Sequence, residues 1–169
     1  SSKPSRPSLT DARRALVEIG RRFYGRGWVF GTSGNFSVVV SDHPTRLLIT
    51  PSGAHKGLLR GSDLLHIDER GVARGRRSRP SAETRLHTEI VSLRGAGAVL
   101  HTHSVWGTIL SDRHAGEGGL ALEGWEMLKG LSGIATHEHR EWLPILENDQ
   151  DMSRLADAVR QHLEASPAV

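Results

Sequence analysis

Two short runs rich in β-branched and aliphatic residues, Ser37-Val-Val-Val40 and Leu47-Leu-Ile-Thr50, are joined across Asp42-His43-Pro44-Thr45. A connection that short leaves no room for the crossover a parallel pair needs, so the two runs are restricted to an antiparallel hairpin. Leu64-Leu-His-Ile67, followed by the turn Asp68-Glu-Arg-Gly71, extends the hairpin into an antiparallel meander.

Helical patterns flank the meander. Ser8-Leu-Thr-Asp11 reads as a capping box opening a helix in which Leu9, Ala12, Ala15, Leu16, Ile19 and Phe23 share a face, with Arg13, Arg14, Arg21 and Arg22 opposite. Gly25 and Gly27 end it. Pro80-Ser81 initiates a second helix that turns Leu86, Ile90, Val91 and Leu93 inward and closes at Gly95 and Gly97, before a strand over 98–103. Short helices over 105–110 and 123–131, an extended segment Trp142-Leu-Pro-Ile145, and a last helix with Met152, Leu155, Val159 and Leu163 as its apolar stripe complete the pattern. With no internal repeat and no linker, the expectation is a flexible arm over residues 1–8 and one α/β domain over 9–169 with a largely antiparallel sheet.

Composition narrows the function. The 169 residues include no cysteine, which excludes a disulfide framework, thiolate metal sites and a cysteine nucleophile. No apolar run approaches the roughly 20 residues of a membrane-spanning helix. The first residues carry charge but no apolar segment follows as in a signal peptide, so a cytoplasmic location is expected. The net charge of +3 is patchwork: seven Lys or Arg against two acids in residues 1–30, six Arg against one acid in 70–85, and five acids against one Arg in 138–151. The aromatic residues avoid the Arg-rich stretch, which argues against a nucleic-acid partner and for solvated faces with some attraction for anionic substrates.

His101-Thr102-His103 ends an apolar run, and residues i and i+2 of a strand face the same way, so both imidazoles can converge on one ion such as zinc. Read alone, the pair is either a metal grip or an incidental spacing among ten histidines. His137-Glu138-His139 repeats the spacing among charged neighbours, which suits an exposed loop. Gly31-Thr-Ser-Gly-Asn35 and Thr50-Pro-Ser-Gly53 read either as backbone nests for phosphate oxygens or as tight turns. Ser81, at the start of the second helix, offers another hydroxyl where a helix N-terminus favours an anion. Glu83 and Glu126 are candidate bases. Glu83 reads equally as a first-turn dipole residue, Glu126 as half of a surface pair with Lys129, and Asn148-Asp149-Gln150-Asp151 as an N-cap cluster.

In order along the chain, Gly31-Thr-Ser-Gly-Asn-Phe-Ser37, Ile49-Thr-Pro-Ser-Gly53, Pro80-Ser-Ala-Glu83 and His101-Thr-His103 resemble the class II aldolase/adducin family, from about residue 10 onward. Within it, Leu122–Gly130, Thr136–His139 and Pro144–Asp151 resemble the branch that dehydrates methylthioribulose 1-phosphate in methionine salvage. The resemblance implies a three-layer α/β/α domain with a central, largely antiparallel sheet, one zinc ion per subunit and a homo-oligomer such as a tetramer. It implies His101 and His103 as metal ligands, and Gly34, Asn35, Ser52, Gly53 and Ser81 around the phosphate of a small sugar-phosphate substrate. Glu126 matches the acid/base of the dehydratases, and Glu83 that of the sugar-phosphate aldolases. The family's third metal-binding histidine, in a Gly-His-Gly context past the last helix, has no counterpart in residues 1–169. The domain is therefore expected to lack the family's C-terminal segment, with His137, His139 and Glu83 as the nearby alternatives. Two rival expectations follow from the same likeness: a fuculose- or ribulose-phosphate type aldolase, or a catalytically silent adducin-like binding module.

Overall fold

The Ser8 hydroxyl accepts the backbone N–H of Asp11 at 3.1 Å and donates to its carboxylate at 2.6 Å, and α1 (Leu9–Gly25) starts there as the capping pattern requires. Ala12, Leu16 and Gly20, four residues apart, form its buried seam, while Leu9, expected on that face, is 42% exposed, and Ala15 is exposed as well. Gly20 has a specific reason to be glycine: a Cβ there would sit 2.7 Å from the carbonyl oxygen of Lys56 and 3.1 Å from Leu59. The bare backbone lets the short turn Lys56–Leu58 lie directly on α1.

The computed structural model describes residues 5–74, 79–131 and 133–165. The first four residues of the expected arm and the expected arginines at 76 and 77 lie outside them. Arg6 makes a two-pronged ion pair with Asp42, at 2.9 and 2.7 Å.

Contacts divide the chain into one unit ending at Ser104 and another starting at Val105. The first holds a five-stranded, wholly antiparallel sheet in the order β4-β3-β2-β1-β5, with β1 (Asn35–Asp42), β2 (Thr45–Ile49), β3 (Leu65–Ile67), β4 (Ala73–Arg74) and β5 (Ala98–His101). The hairpin pairs Val38 with Leu48, and Asn35 of β1 faces His101 of β5. Alternation along the strands sends Phe36 and Leu48 to one face, where they pack with Ala12 and Leu16 of α1, Val29 and Leu64. The other face carries Val39, Leu47, Ile49 and Ile67, packed with Val91 of α2 (Thr84–Arg94). A helix on each face of the sheet is the three-layer α/β/α arrangement expected. Each large side chain so buried contributes about 1.5–3 kcal/mol.

Helix α2 departs from expectation in two ways. Pro80-Ser81 leads into a turn, and the helix proper begins at Thr84 with Glu83 as its N-cap. Its buried face is Thr84, His87 and Val91, whereas Leu86, Ile90 and Leu93 are only half-buried. Both polar residues of the inward stripe have partners: His87 is met by Ser37 and Asn35 of β1, and the Thr84 hydroxyl donates to the carbonyl of Ser81 at 2.7 Å.

The second unit contains α3 (Val105–His114), a hairpin of β6 (Gly119–Glu123) and β7 (Arg140–Pro144), a 3₁₀ turn Glu126–Gly130, and α4 (Met152–Ala165). The helix expected over 123–131 is thus a strand end followed by a short 3₁₀ turn, and β6, like the two-residue β4, is an element the sequence pattern did not suggest. Asp151 caps α4 by accepting the N–H groups of Ser153 and Arg154, as the Asn148–Asp151 cluster suggested. Among the described residues no helix is long and apolar enough to cross a membrane.

Candidate active site

β5 ends at His101, two residues short of expectation, yet the imidazoles of His101 and His103 still come together: their centroids are 4.6 Å apart with planes tilted by 44°. The backbone N–H of His103 donates to the carbonyl of Trp28 at 2.7 Å, which anchors the chain as it leaves the strand. Nδ1 of His101 lies 2.9 Å from a carboxylate oxygen of Glu83. A carboxylate there selects the tautomer with hydrogen on Nδ1 and leaves Nε2 of His101 with a free lone pair.

Glu83 is held in turn. Nδ2 of Asn35 donates to the same carboxylate oxygen and, at 3.1 Å, to the hydroxyl of Ser81. Since both amide hydrogens point that way, Oδ1 of Asn35 accepts from Nε2 of His87, and Nδ1 of His87 accepts the Ser37 hydroxyl at 2.7 Å. The result is one directional chain, Ser37 to His87 to Asn35 to Glu83 and Ser81, whose inner members Ser37, His87 and Asn35 are all buried.

Electrostatics follow the packing. Burial, and then the charge of His101, push His87 down to about 4, against the opposing charge of Glu83, so its imidazole is neutral near pH 7. Burial works to raise Glu83, but the Asn35 hydrogen bond and the nearby His101 and His103 outweigh it and hold the carboxyl below its ordinary value. His103 is lowered by burial and by His101.

The phosphate candidates gather in the same region. Gly34 precedes Asn35 with a φ of +69°, and a Cβ there would meet the His101 carbonyl and a Val29 methyl, each at 2.6 Å. Pro51 forms an isolated bridge with Pro80, and the N–H of Ser52 donates to the carbonyl of Arg79, which sets Ser52 and Gly53 beside the segment leading to Ser81. A cavity of about 410 Å³ lies elsewhere, lined by Asp42, Asp68, Thr88 and Ser92 among others, and includes none of the candidate residues.

Glu126 belongs to the second unit. Its exposed carboxylate pairs with Lys129 at 2.7 Å, the surface pair read from the sequence, and stands 3.3 Å from Nδ1 of His137. His137 and Glu138 lie exposed in a turn, in keeping with the exposed loop expected, whereas His139 is half-buried and bonded to Glu141.

The donor set fits part of a metal centre. His101 and His103 offer two nitrogens from one end of one strand, oriented by a carboxylate, but among the described residues no three His, Asp or Glu side chains gather as a full ligand set.

The family model described as class II aldolase and adducin N-terminal domain matches residues 14–169. The chain belongs to that family. It is 47% identical over 163 residues to the methylthioribulose-1-phosphate dehydratase of Pseudomonas fluorescens, covering 95% of this chain and 77% of that one. It is 44% identical over 165 residues to the protein of the same name from Azotobacter vinelandii, covering 97% and 77%. Among solved structures, the L-fuculose-1-phosphate aldolase of Thermus thermophilus superposes with a TM-score of 0.66 at 26% identity, covering 93% of this chain and 71% of that one.

Three residues packed around these candidates escaped the sequence reading. His87 stands four residues after Glu83, on the same helix face, and a polar residue in line with Val91 was the available signal. Ser37 was read as the start of a strand and the end of the Gly31–Ser37 motif, with no role of its own. Lys56, buried at 1% exposure, had no signal beyond its place after the Thr50–Gly53 cluster.

Proposed function

We propose that the chain dehydrates S-methyl-5-thio-D-ribulose 1-phosphate to 2,3-diketo-5-methylthiopentyl 1-phosphate and water, a step of methionine salvage. The observation that supports it most is the His101–His103 pair oriented by Glu83, in a chain 47% identical to a dehydratase so named. In this reading His101 and His103 hold zinc, one per subunit of a cytoplasmic homo-oligomer such as a tetramer. Bound zinc supplies Lewis acidity toward the ketone and neighbouring hydroxyl of the substrate. Gly34, Ser52, Gly53 and Ser81 surround the phosphate, with the buried amide of Asn35 holding the Ser81 hydroxyl and the Glu83 carboxylate in place, and the phosphate's binding energy holds C3 and C4 in register. Glu126 takes the proton from C3 and returns a proton to the C4 hydroxyl, which departs as water. Glu83 keeps His101 in the ligating tautomer.

One observation favours a second reading. The carboxylate bonded to His101 is Glu83, the position that matches the base of the sugar-phosphate aldolases. An aldolase breaks the C3–C4 bond and yields two fragments. Incubation of the zinc-loaded chain with the methylthioribulose phosphate, followed by mass spectrometry, separates the two: a single product lighter by one water supports the dehydratase, and paired fragments support the aldolase.

A further inference from the structure

Lys56 is 1% exposed, an unusual place for an ammonium group. Nζ donates to the carbonyl of Thr32 at 2.9 Å and to that of Ala54 at 2.7 Å. The first carbonyl belongs to the Gly31–Gly34 loop and the second follows the Thr50–Gly53 loop, so one side chain clamps together the two segments that carry Gly34, Asn35, Ser52 and Gly53. The clamp has a rigid base, because the turn that carries Lys56 lies on α1 at the bare backbone of Gly20.

Both partners of the ammonium are neutral acceptors. They meet its hydrogen-bonding needs without cancelling its charge; burial holds its pKa below the ordinary lysine value, and Glu83 opposes that only through its longer-range field. In a poorly solvated interior that charge reaches further than it would in water. Two residues next in sequence to the clamp's acceptors also hold a buried side-chain atom with no hydrogen-bond partner among the described residues: Oγ of Ser33, which follows Thr32, and Nδ1 of His55, which follows Ala54. Buried polar atoms are seldom left unmet, so both are open to a further polar partner.

We propose that Lys56 is a positioning residue for the phosphate group of the substrate: it fixes the spacing of the 31–34 and 50–54 loops and stands behind them as an uncancelled positive charge. The inference rests on reading these loops as the phosphate cradle. It adds to that reading a residue that need not touch the ligand.

The test is calorimetric titration of the full chain with inorganic phosphate, for the wild type, Lys56→Met and Lys56→Arg, with zinc uptake and thermal unfolding measured in parallel. The expected result is that Lys56→Met weakens phosphate binding by about tenfold or more, the combined effect of a loosened loop spacing and a lost nearby positive charge, while zinc uptake and cooperative unfolding persist. Lys56→Arg, which keeps the charge, is expected to bind phosphate more tightly than Lys56→Met. Phosphate affinity in Lys56→Met equal to the wild type overturns the role of Lys56 and leaves the cradle standing. A wild-type chain that takes up no phosphate overturns the cradle and the inference with it. If Lys56→Met does not fold, Lys56→Gln is measured in the same way. Failure of both to unfold cooperatively makes Lys56 a core strut and also overturns the proposal.

Discussion

A carboxylate oxygen of Glu83 lies 2.9 Å from Nδ1 of His101 and also accepts the amide of Asn35. A single atom thereby ties the start of α2 to β1 and β5, and the orientation of one candidate ligand depends on a residue 18 positions earlier. Such an outer partner matters to a metal because it holds the ring in place and raises the basicity of the ligating nitrogen.

Glu83→Gln keeps the shape of the side chain and removes its charge. Zinc affinity is expected to fall by about 10–100-fold, the usual cost of losing such a partner. Competition against a chelator of known affinity measures it, and unchanged affinity would show that Glu83 does not orient His101.

His87 makes the stability of the metal-free chain depend on pH in a defined direction. Its pKa is about 4 when folded and ordinarily 6.5, so between those values the unfolded chain binds more protons. Stability is complete above pH 6.5 and falls as the pH drops toward 4, by about 3 kcal/mol in all. In His87→Phe that slope should flatten. The orphaned Asn35 and Ser37 groups should each cost about 1–3 kcal/mol at neutral pH. Urea titrations from pH 4 to 7 give both quantities, and a slope that survives the substitution assigns it to another group.

How much of this was legible in the sequence depended on range. The β1–β2 hairpin was readable because its partners are neighbours along the chain, and the His101–His103 pair because two residues on a strand suffice to face both rings one way. Strand β6 was not, since Leu120, Ala121 and Leu122 suit a helix equally well and the pairing partner β7 lies about twenty residues on. The inward face of α2 was misplaced for a related reason: apolarity alone favours Leu86 and Ile90, while His87 is buried only because Ser37 and Asn35 arrive from some fifty residues earlier to satisfy it. Lys56 is the same case in sharper form, a buried charge whose partners are backbone carbonyls that carry no sequence signature.

Glu126→Gln separates catalysis from structure. Its carboxylate is exposed and pairs with Lys129, a kind of surface contact that contributes little, so the melting temperature should scarcely move. Zinc uptake by His101 and His103 should also persist. Turnover should fall by about a hundredfold or more, as expected on losing an acid/base group. A variant that retains its activity removes Glu126 from the mechanism and turns attention to Glu83.

Gly34 and Gly53 offer a matched pair. Both have positive φ, +69° and +70°, so alanine at either position incurs the left-handed penalty of about 1–2 kcal/mol. They differ in what the new methyl group meets: nothing within 4 Å at Gly53, but the His101 carbonyl and a Val29 methyl, each at 2.6 Å, at Gly34. Relieving that overlap forces β1 away from β5 at the point where Asn35 pairs with His101, which should add a further 1–3 kcal/mol or so. Gly34→Ala should therefore melt at a clearly lower temperature than Gly53→Ala and should bind zinc more weakly, because the displaced carbonyl belongs to a candidate ligand. Equal losses in the two variants would mean that the junction of β1 and β5 is soft, and that the precision of the His101 site does not depend on the close approach at Gly34.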